Sequence, residues 1–169
     1  MLHDSCCVLR VLGIDPGTAT TGWAILEVKN GKEHALAFGH ITTSKRKSDH
    51  ERLEEMANDL DAIIKKFKPQ ECAVEEIFFF KNAKTVIRVS QSRGAILLTL
   101  KKAKVEIFEY TPLQVKQALT GYGRAEKKQM QEMVKAVFGL KKIPKPDDAA
   151  DALAIALCHS SSRKNLLVD

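Results

Sequence analysis

The 169-residue chain has no apolar run close to the roughly 18 residues that a membrane-spanning helix requires. No membrane partner is therefore expected. Its first seven residues, Met1 to Cys7, lack the basic stretch and the apolar stretch of a secretory signal. Cysteine is scarce: Cys6, Cys7, Cys72 and Cys158 show no Cys-x-x-Cys spacing and no companion histidine in metal-binding order. That argues against a disulfide framework, and reduced, mostly packing thiols in the cytoplasm are the expectation. Internal repeats and low-complexity segments are absent as well.

What is present suits one α/β domain able to bury a real core. Apolar residues make up 44% and charged residues 28%, both ordinary for a globular chain. The net charge of +6 favours an anionic partner, nucleic acid being the commonest, although a merely basic protein would carry the same charge. The informative feature is local: carboxylates stand at the ends of apolar stretches in a chain that is basic elsewhere. Beside a polyanion such groups repel unless a divalent cation lies between.

The first of them is Asp15, at the end of the apolar run from Val8 to Ile14 and just before Pro16-Gly17-Thr18. The run is too short for a capped helix and reads as a buried strand. A carboxylate there is costly unless it is hydrated, paired or bound to a cation; an Asx turn would also account for it. Two further strands are expected over 20–28 and 33–41, joined at Asn30-Gly31, a strong hairpin signal. Three sequential strands with short turns form an antiparallel meander.

After a basic loop (Lys45, Arg46, Lys47), Ser48 or Asp49 is placed to cap an amphipathic helix ending near Phe67, with Pro69 as its stop. Residues 71–77 read as a fourth strand with Glu75 and Glu76 near its end, pointing to opposite faces. Alternation alone does not say which faces inward. Phe78-Phe79-Phe80 then either plugs the core or leaves a ring exposed. A long helix over 81–101 carries Gly94 in its interior, at a cost of about 1 kcal/mol relative to Ala unless close packing, against this chain or a second copy, offsets it. A fifth strand over 104–110 follows, and the strand–helix–strand order indicates parallel pairing.

Thr111-Pro112 opens a short helix carrying Lys116, and Arg124 lies in the basic turn after Gly121. The next helix starts near Glu126 with Lys127 and Lys128, cations that oppose its dipole and that a bound phosphate would suit. Beyond the basic linker 141–146, a small-residue helix over 147–160 holds Asp148 and Asp151 on one face, and residues 161–169 are expected to be a fraying tail. Asp147 as N-cap and Asp148 as dipole partner would explain the first acids of this helix, but Asp151 poorly. With Asp15 and one of the Glu75/Glu76 pair, three or four acids converge, an arrangement that hard divalent cations stabilise and that suits two-metal phosphodiester hydrolysis.

These residues fall into an ordered set: Leu12-Gly13-Ile14-Asp15-Pro16-Gly17, Ala73-Val74-Glu75-Glu76-Ile77-Phe78, Gln91-Ser92-Arg93-Gly94, Val115-Lys116-Gln117, Ala125-Glu126-Lys127 and Asp148-Ala149-Ala150-Asp151-Ala152-Leu153-Ala154. In that order and spacing the chain closely resembles the RuvC family of bacterial Holliday junction resolvases, from about Val8 to His159. The resemblance implies an RNase H-like fold with a five-stranded mixed sheet flanked by helices. It implies a homodimer that nicks two opposed strands of four-way junction DNA with two Mg2+ per site, Mn2+ being able to substitute. The implied catalytic and metal-binding residues are Asp15, Glu75, Asp148 and Asp151, with Glu75 rather than Glu76 facing inward. Phe78 matches an aromatic that stacks at the opened junction. Lys116 and Lys127 match lysines near the DNA backbone, and Arg124 and Lys128 are basic neighbours expected to contact DNA. RuvA and RuvB are the implied partners. Residues 1–7 are an N-terminal extension to the nuclease domain at 8–160. The rival readings are a junction-binding protein without cleavage, an RNase H-like nuclease acting on other nucleic acids, and an actin-like ATPase sharing the Asp15-Pro16-Gly17-Thr18 turn; the last uses two domains and far more chain.

Overall fold

A computed structural model describes residues 8–17, 19–76 and 83–166. Ten elements follow one another: β1 (Leu9–Asp15), β2 (Thr20–Lys29), β3 (Lys32–Thr42), α1 (Asp49–Phe67), β4 (Glu71–Glu75), α2 (Ala83–Lys102), β5 (Glu106–Tyr110), α3 (Pro112–Thr120), α4 (Lys127–Val137) and α5 (Asp147–Leu166). The strands form one sheet in the order β3-β2-β1-β4-β5. β1 to β3 make the expected antiparallel meander, while β4 and β5 pair in parallel with β1 and with each other. This is the RNase H-like mixed sheet that the resemblance implied.

Local chemistry sets most boundaries. Ser48 caps α1 through a reciprocal capping box with Glu51, and Thr111 caps α3 in the same way with Gln114, next to Pro112 in the first turn. Lys68 and Gly121 end these two helices in the left-handed region, at φ 50° and 72°. β5 begins at Glu106 rather than at Lys104, because Lys104 takes φ 60° in the turn after α2.

Strand alternation splits the core in two. Val11, Ala24, Leu26 and Ala73 pack against α3, α4 and α5, while Leu12, Ile14, Ile25, Cys72 and Val74 pack against α1 and α2. α5 lies unusually close to the sheet. A Cβ on Gly13 would stand 2.1 Å from the Ala152 carbonyl oxygen, and one on Gly22 would stand 2.0 Å from that of Asp148. Only glycine admits a helix backbone at that distance.

The far end of α5 differs from the sequence expectation. The helix does not fray at residue 161 but runs on to Leu166. The reason is a set of polar anchors on the sheet. Buried His159 bonds Glu71 through Nε2 (2.7 Å) and the Tyr110 hydroxyl through Nδ1 (2.7 Å), Arg163 bonds Glu71 (3.1 Å), and Lys164 reaches the Gly31 carbonyl (3.0 Å). Glu71, as a carboxylate, accepts from Nε2–H, and with the imidazole neutral the hydroxyl of Tyr110 donates to Nδ1. Cys72 and Cys158 are buried free thiols, and burial pushes both up, Cys158 to about 11, as packing residues require. Among the described residues no helix is long and apolar enough to cross a membrane.

Candidate active site

Asp15 ends β1, and the alternation that turns Val11 and Gly13 towards α5 turns Asp15 the same way. The parallel register pairs Gly13 with Ala73 and Ile14 with Val74, so its next step brings Asp15 beside Glu75. Ala73 faces α5, hence Glu75 does too, and Glu75 rather than Glu76 lines the cleft formed there. On the opposite side of β1, Asp15 pairs with Gly22, the glycine against which the first turn of α5 sits. That contact brings Asp148 to the same strand end, and Asp151 follows one helical turn later on the same face.

The acids feel one another. Asp15 is pushed up to about 8, first by burial and then by Glu75, Asp151 and Asp148. Glu75 is pushed up to about 7 by burial and Asp151, against the pull of Lys116. Burial raises Asp151 as well, opposed by Lys127. These groups line a cleft of about 200 Å³ that also takes in Lys116, Lys127, Pro112 and Met130. As they stand, no three acid, thiol or imidazole groups among the described residues are gathered closely enough to grip an ion. Asp15, Glu75 and Asp151 line the cleft, while Asp148 lies outside its lining and acts on Asp15 through its charge.

Lys127 supplies the local counter-charge. Its Nζ lies 3.5 Å from Asp151 and 3.4 Å from Asp147. Burial pulls this ammonium down, but Asp151 and Asp147 outweigh it and hold Lys127 above its ordinary value. The cation at the start of α4 is therefore matched by carboxylates of α5. Asp147 is not the N-cap of α5 but its first residue; its side chain is turned to Lys145 (3.0 Å) and Lys127, and the Lys145 bond holds it below the usual carboxylate range.

Of the other expected contacts, Lys116 and Lys127 line the cleft, whereas Arg124 and Lys128 are exposed outside its lining. Phe78, with the rest of its aromatic triplet, lies outside the described residues. Reading the sequence missed the parts of Gly22 and Lys145. For Gly22 the signal was a glycine inside a strand pattern, which marks a close backbone approach.

Comparisons with known proteins bear on this cleft. The family model described as crossover junction endodeoxyribonuclease RuvC matches residues 11–159. A relative from Fusobacterium nucleatum bearing that name is 53% identical over 154 residues, covering 91% of this chain and 81% of its own. One from Caldicellulosiruptor saccharolyticus is 51% identical over 160 residues, covering 94% and 96%. Among solved structures, Thermus thermophilus RuvC in complex with Holliday junction substrate superposes with a TM-score of 0.84 at 34% identity, covering 93% of this chain and 96% of that one. The yeast mitochondrial Holliday junction resolvase Ydc2 shares the fold, with a TM-score of 0.69 at 15% identity over 95% of this chain and 81% of that one.

Proposed function

The chain belongs to the RuvC family of crossover junction endodeoxyribonucleases, and from that premise we propose that it resolves four-way DNA junctions by paired nicks at the carboxylate cleft. The observation that carries the reading is Asp15: a half-buried acid at a strand end, in a cleft flanked by two lysines, pushed up to about 8 by burial and then by Glu75, Asp151 and Asp148. Structural pairing would leave such a group neutralised; a hydrolytic site needs it ionised and bridged.

Asp15, Glu75, Asp148 and Asp151 offer the hard oxygen donors that divalent cations of the Mg2+ type prefer. Two such ions, with Mn2+ able to substitute, supply activation of water and stabilisation of the attacking and leaving oxygens at phosphorus. Everything else falls to the chain. Lys116 meets the phosphate from the α3 side of the cleft. Lys127 stands on the α4 side, where its ammonium balances Asp151 in the free protein and offers charge to a phosphate in the occupied one. The strands hold Asp15 and Glu75 rigid, and α5 presents Asp148 and Asp151 from above. Phe78 is assigned to stacking at the junction centre, and Arg124 and Lys128 to the flanking backbone.

A homodimer places two clefts on two opposed strands. The open stripe of Ile87, Gln91, Gly94 and Leu98 on α2 supports this: all four residues are exposed, at spacings that share one helix face, and a Cβ on Gly94 would meet nothing within 4 Å. The cytoplasm is the proposed compartment, RuvA and RuvB are the proposed partners, and the products are nicked duplexes fit for a ligase.

The test is incubation with a labelled mobile four-way junction and with a linear duplex of the same sequence, each with and without Mg2+. Symmetric paired nicks in the junction alone, dependent on metal, are expected. Equal cutting of the duplex, or tight junction binding with no cutting at any crossover sequence, would overturn the reading.

A further inference from the structure

On the other layer of the sheet, past the same edge that carries Asp15, lies a second groove. It has a volume of about 600 Å³ and is lined by Ala19, Lys45, Lys47, Asp49, Arg52 and Arg88 among others. A smaller hollow beneath it takes in Gly17, Thr21 and Thr43, so the groove opens directly onto the turn that leaves β1. We propose that this groove is a second phosphate-binding track, holding the backbone of a substrate DNA arm after it leaves the carboxylate cleft and passes Gly17 and Ala19. The proposal rests on the nuclease reading and extends its substrate contact to residues outside the cleft.

Charge and placement carry it. Four cations from three separate segments (the β3–α1 loop, α1 and α2) converge on one concave surface, against a single carboxylate in the lining. That carboxylate, Asp49, lies 3.6 Å from Arg88 Nε and 4.0 Å from Arg52 Nη1, beyond ordinary hydrogen-bond length. Arg88 is thus held near the groove without a tight bond to Asp49, and its side chain is 60% exposed. Arg52 is fixed in the wall by its Nε bond to Thr43 (3.0 Å) and is mostly covered, so it adds positive charge to the wall while Lys45, Lys47 and Arg88 supply the exposed groups. Lys47 is paired with Glu55 (3.0 Å), and Lys45 is exposed. Dipole complementarity at helix ends does not explain this set: Lys45 and Lys47 precede the N-terminus of α1, where cations are unfavourable. An anionic ligand removes that conflict. The hollow at Gly17 and the cleft at Asp15 flank the same strand end, two residues apart, which makes the ligand a nucleic-acid backbone rather than a free phosphate.

The experiment measures junction affinity against salt concentration in EDTA, where no cutting occurs. It uses the wild type, the variant Lys45→Ala/Lys47→Ala/Arg88→Ala, and a control of equal charge loss, Lys65→Ala/Lys68→Ala/Lys102→Ala, which lies at the opposite end of the parallel strands. Each lost phosphate contact should reduce the slope of log affinity against log salt by about 0.9, so the groove variant should fall short of wild type by about 2–3 and the control should not. Truncating the junction arms to the crossover should abolish the difference. A wild-type slope in the groove variant, or the same loss in the control, overturns the track. Cutting of junctions by the wild type is scored separately: if that fails while the groove variant still loses slope, the nuclease reading falls and the track stands.

Discussion

Asp15 is a carboxyl group whose proton the folded, metal-free chain holds more tightly than the unfolded chain does. With an ordinary value near 3.8 and a folded-state value of about 8, it binds a proton in the native protein that the unfolded chain has already released. Stability of the metal-free protein should therefore fall as pH rises from about 4 to about 8, with Glu75 adding to the fall up to about 7. Thermal melts without metal should show a lower midpoint at pH 8 than at pH 6. Asp15→Asn should flatten that slope, retain junction binding and cut at least about 100-fold more slowly. A wild-type cutting rate in Asp15→Asn would remove Asp15 from the site. The position of Asp15 was legible in the sequence because a strand ended on it. The choice of Glu75 over Glu76 was not legible from alternation, which fixes that the two diverge but not which one meets α5.

At the scale of elements, the site depends on how closely α5 lies against the sheet. Gly22 sits between Asp15, its partner on β1, and Asp148, whose carbonyl a Cβ would approach to 2.0 Å. Gly22→Ala must therefore lift the first turn of α5. We expect a loss of about 1–3 kcal/mol in urea unfolding, the usual cost of overpacking. Cleavage should fall as well, with salt-dependent junction binding unchanged, since Asp148 moves while the basic surface does not. Unaltered stability would mean that the helix is not seated on this glycine. At its other end α5 is tied down by His159, Tyr110, Glu71 and Arg163, which is why the tail expected beyond residue 160 is helix as far as Leu166. Propensity at Ser160, Ser161 and Ser162 favours fraying; partners remote in sequence reverse it.

For the whole molecule, the open face of α2 is the feature that one chain does not explain. Ile87 and Leu98 are 59% and 56% exposed, in line with Gly94. Apolar stripes of this kind mark association surfaces. Leu98→Asp should convert a dimer into a monomer in sedimentation velocity and abolish paired nicking, while leaving the far-ultraviolet circular dichroism of the folded chain unchanged, because the side chain is not in the core. A wild-type mass for Leu98→Asp would place the interface elsewhere.

The sequence by itself determined the order of the elements, the cap at Thr111, a cap at Ser48 or Asp49 (the structure choosing Ser48), the hairpin at Asn30-Gly31 and the acids at element ends. These follow from periodicity, dihedral preference and short-range hydrogen bonds, energies that act within a few residues. Only the tertiary structure decided that β1 lies between β2 and β4, which sets Asp15 between Gly22 and Glu75. It also decided that Lys127 answers Asp147 and Asp151, and that four cations meet around the groove at Arg88. Those outcomes depend on distances between groups far apart along the chain, and burial and Coulomb energy act on distance in space rather than on position in sequence.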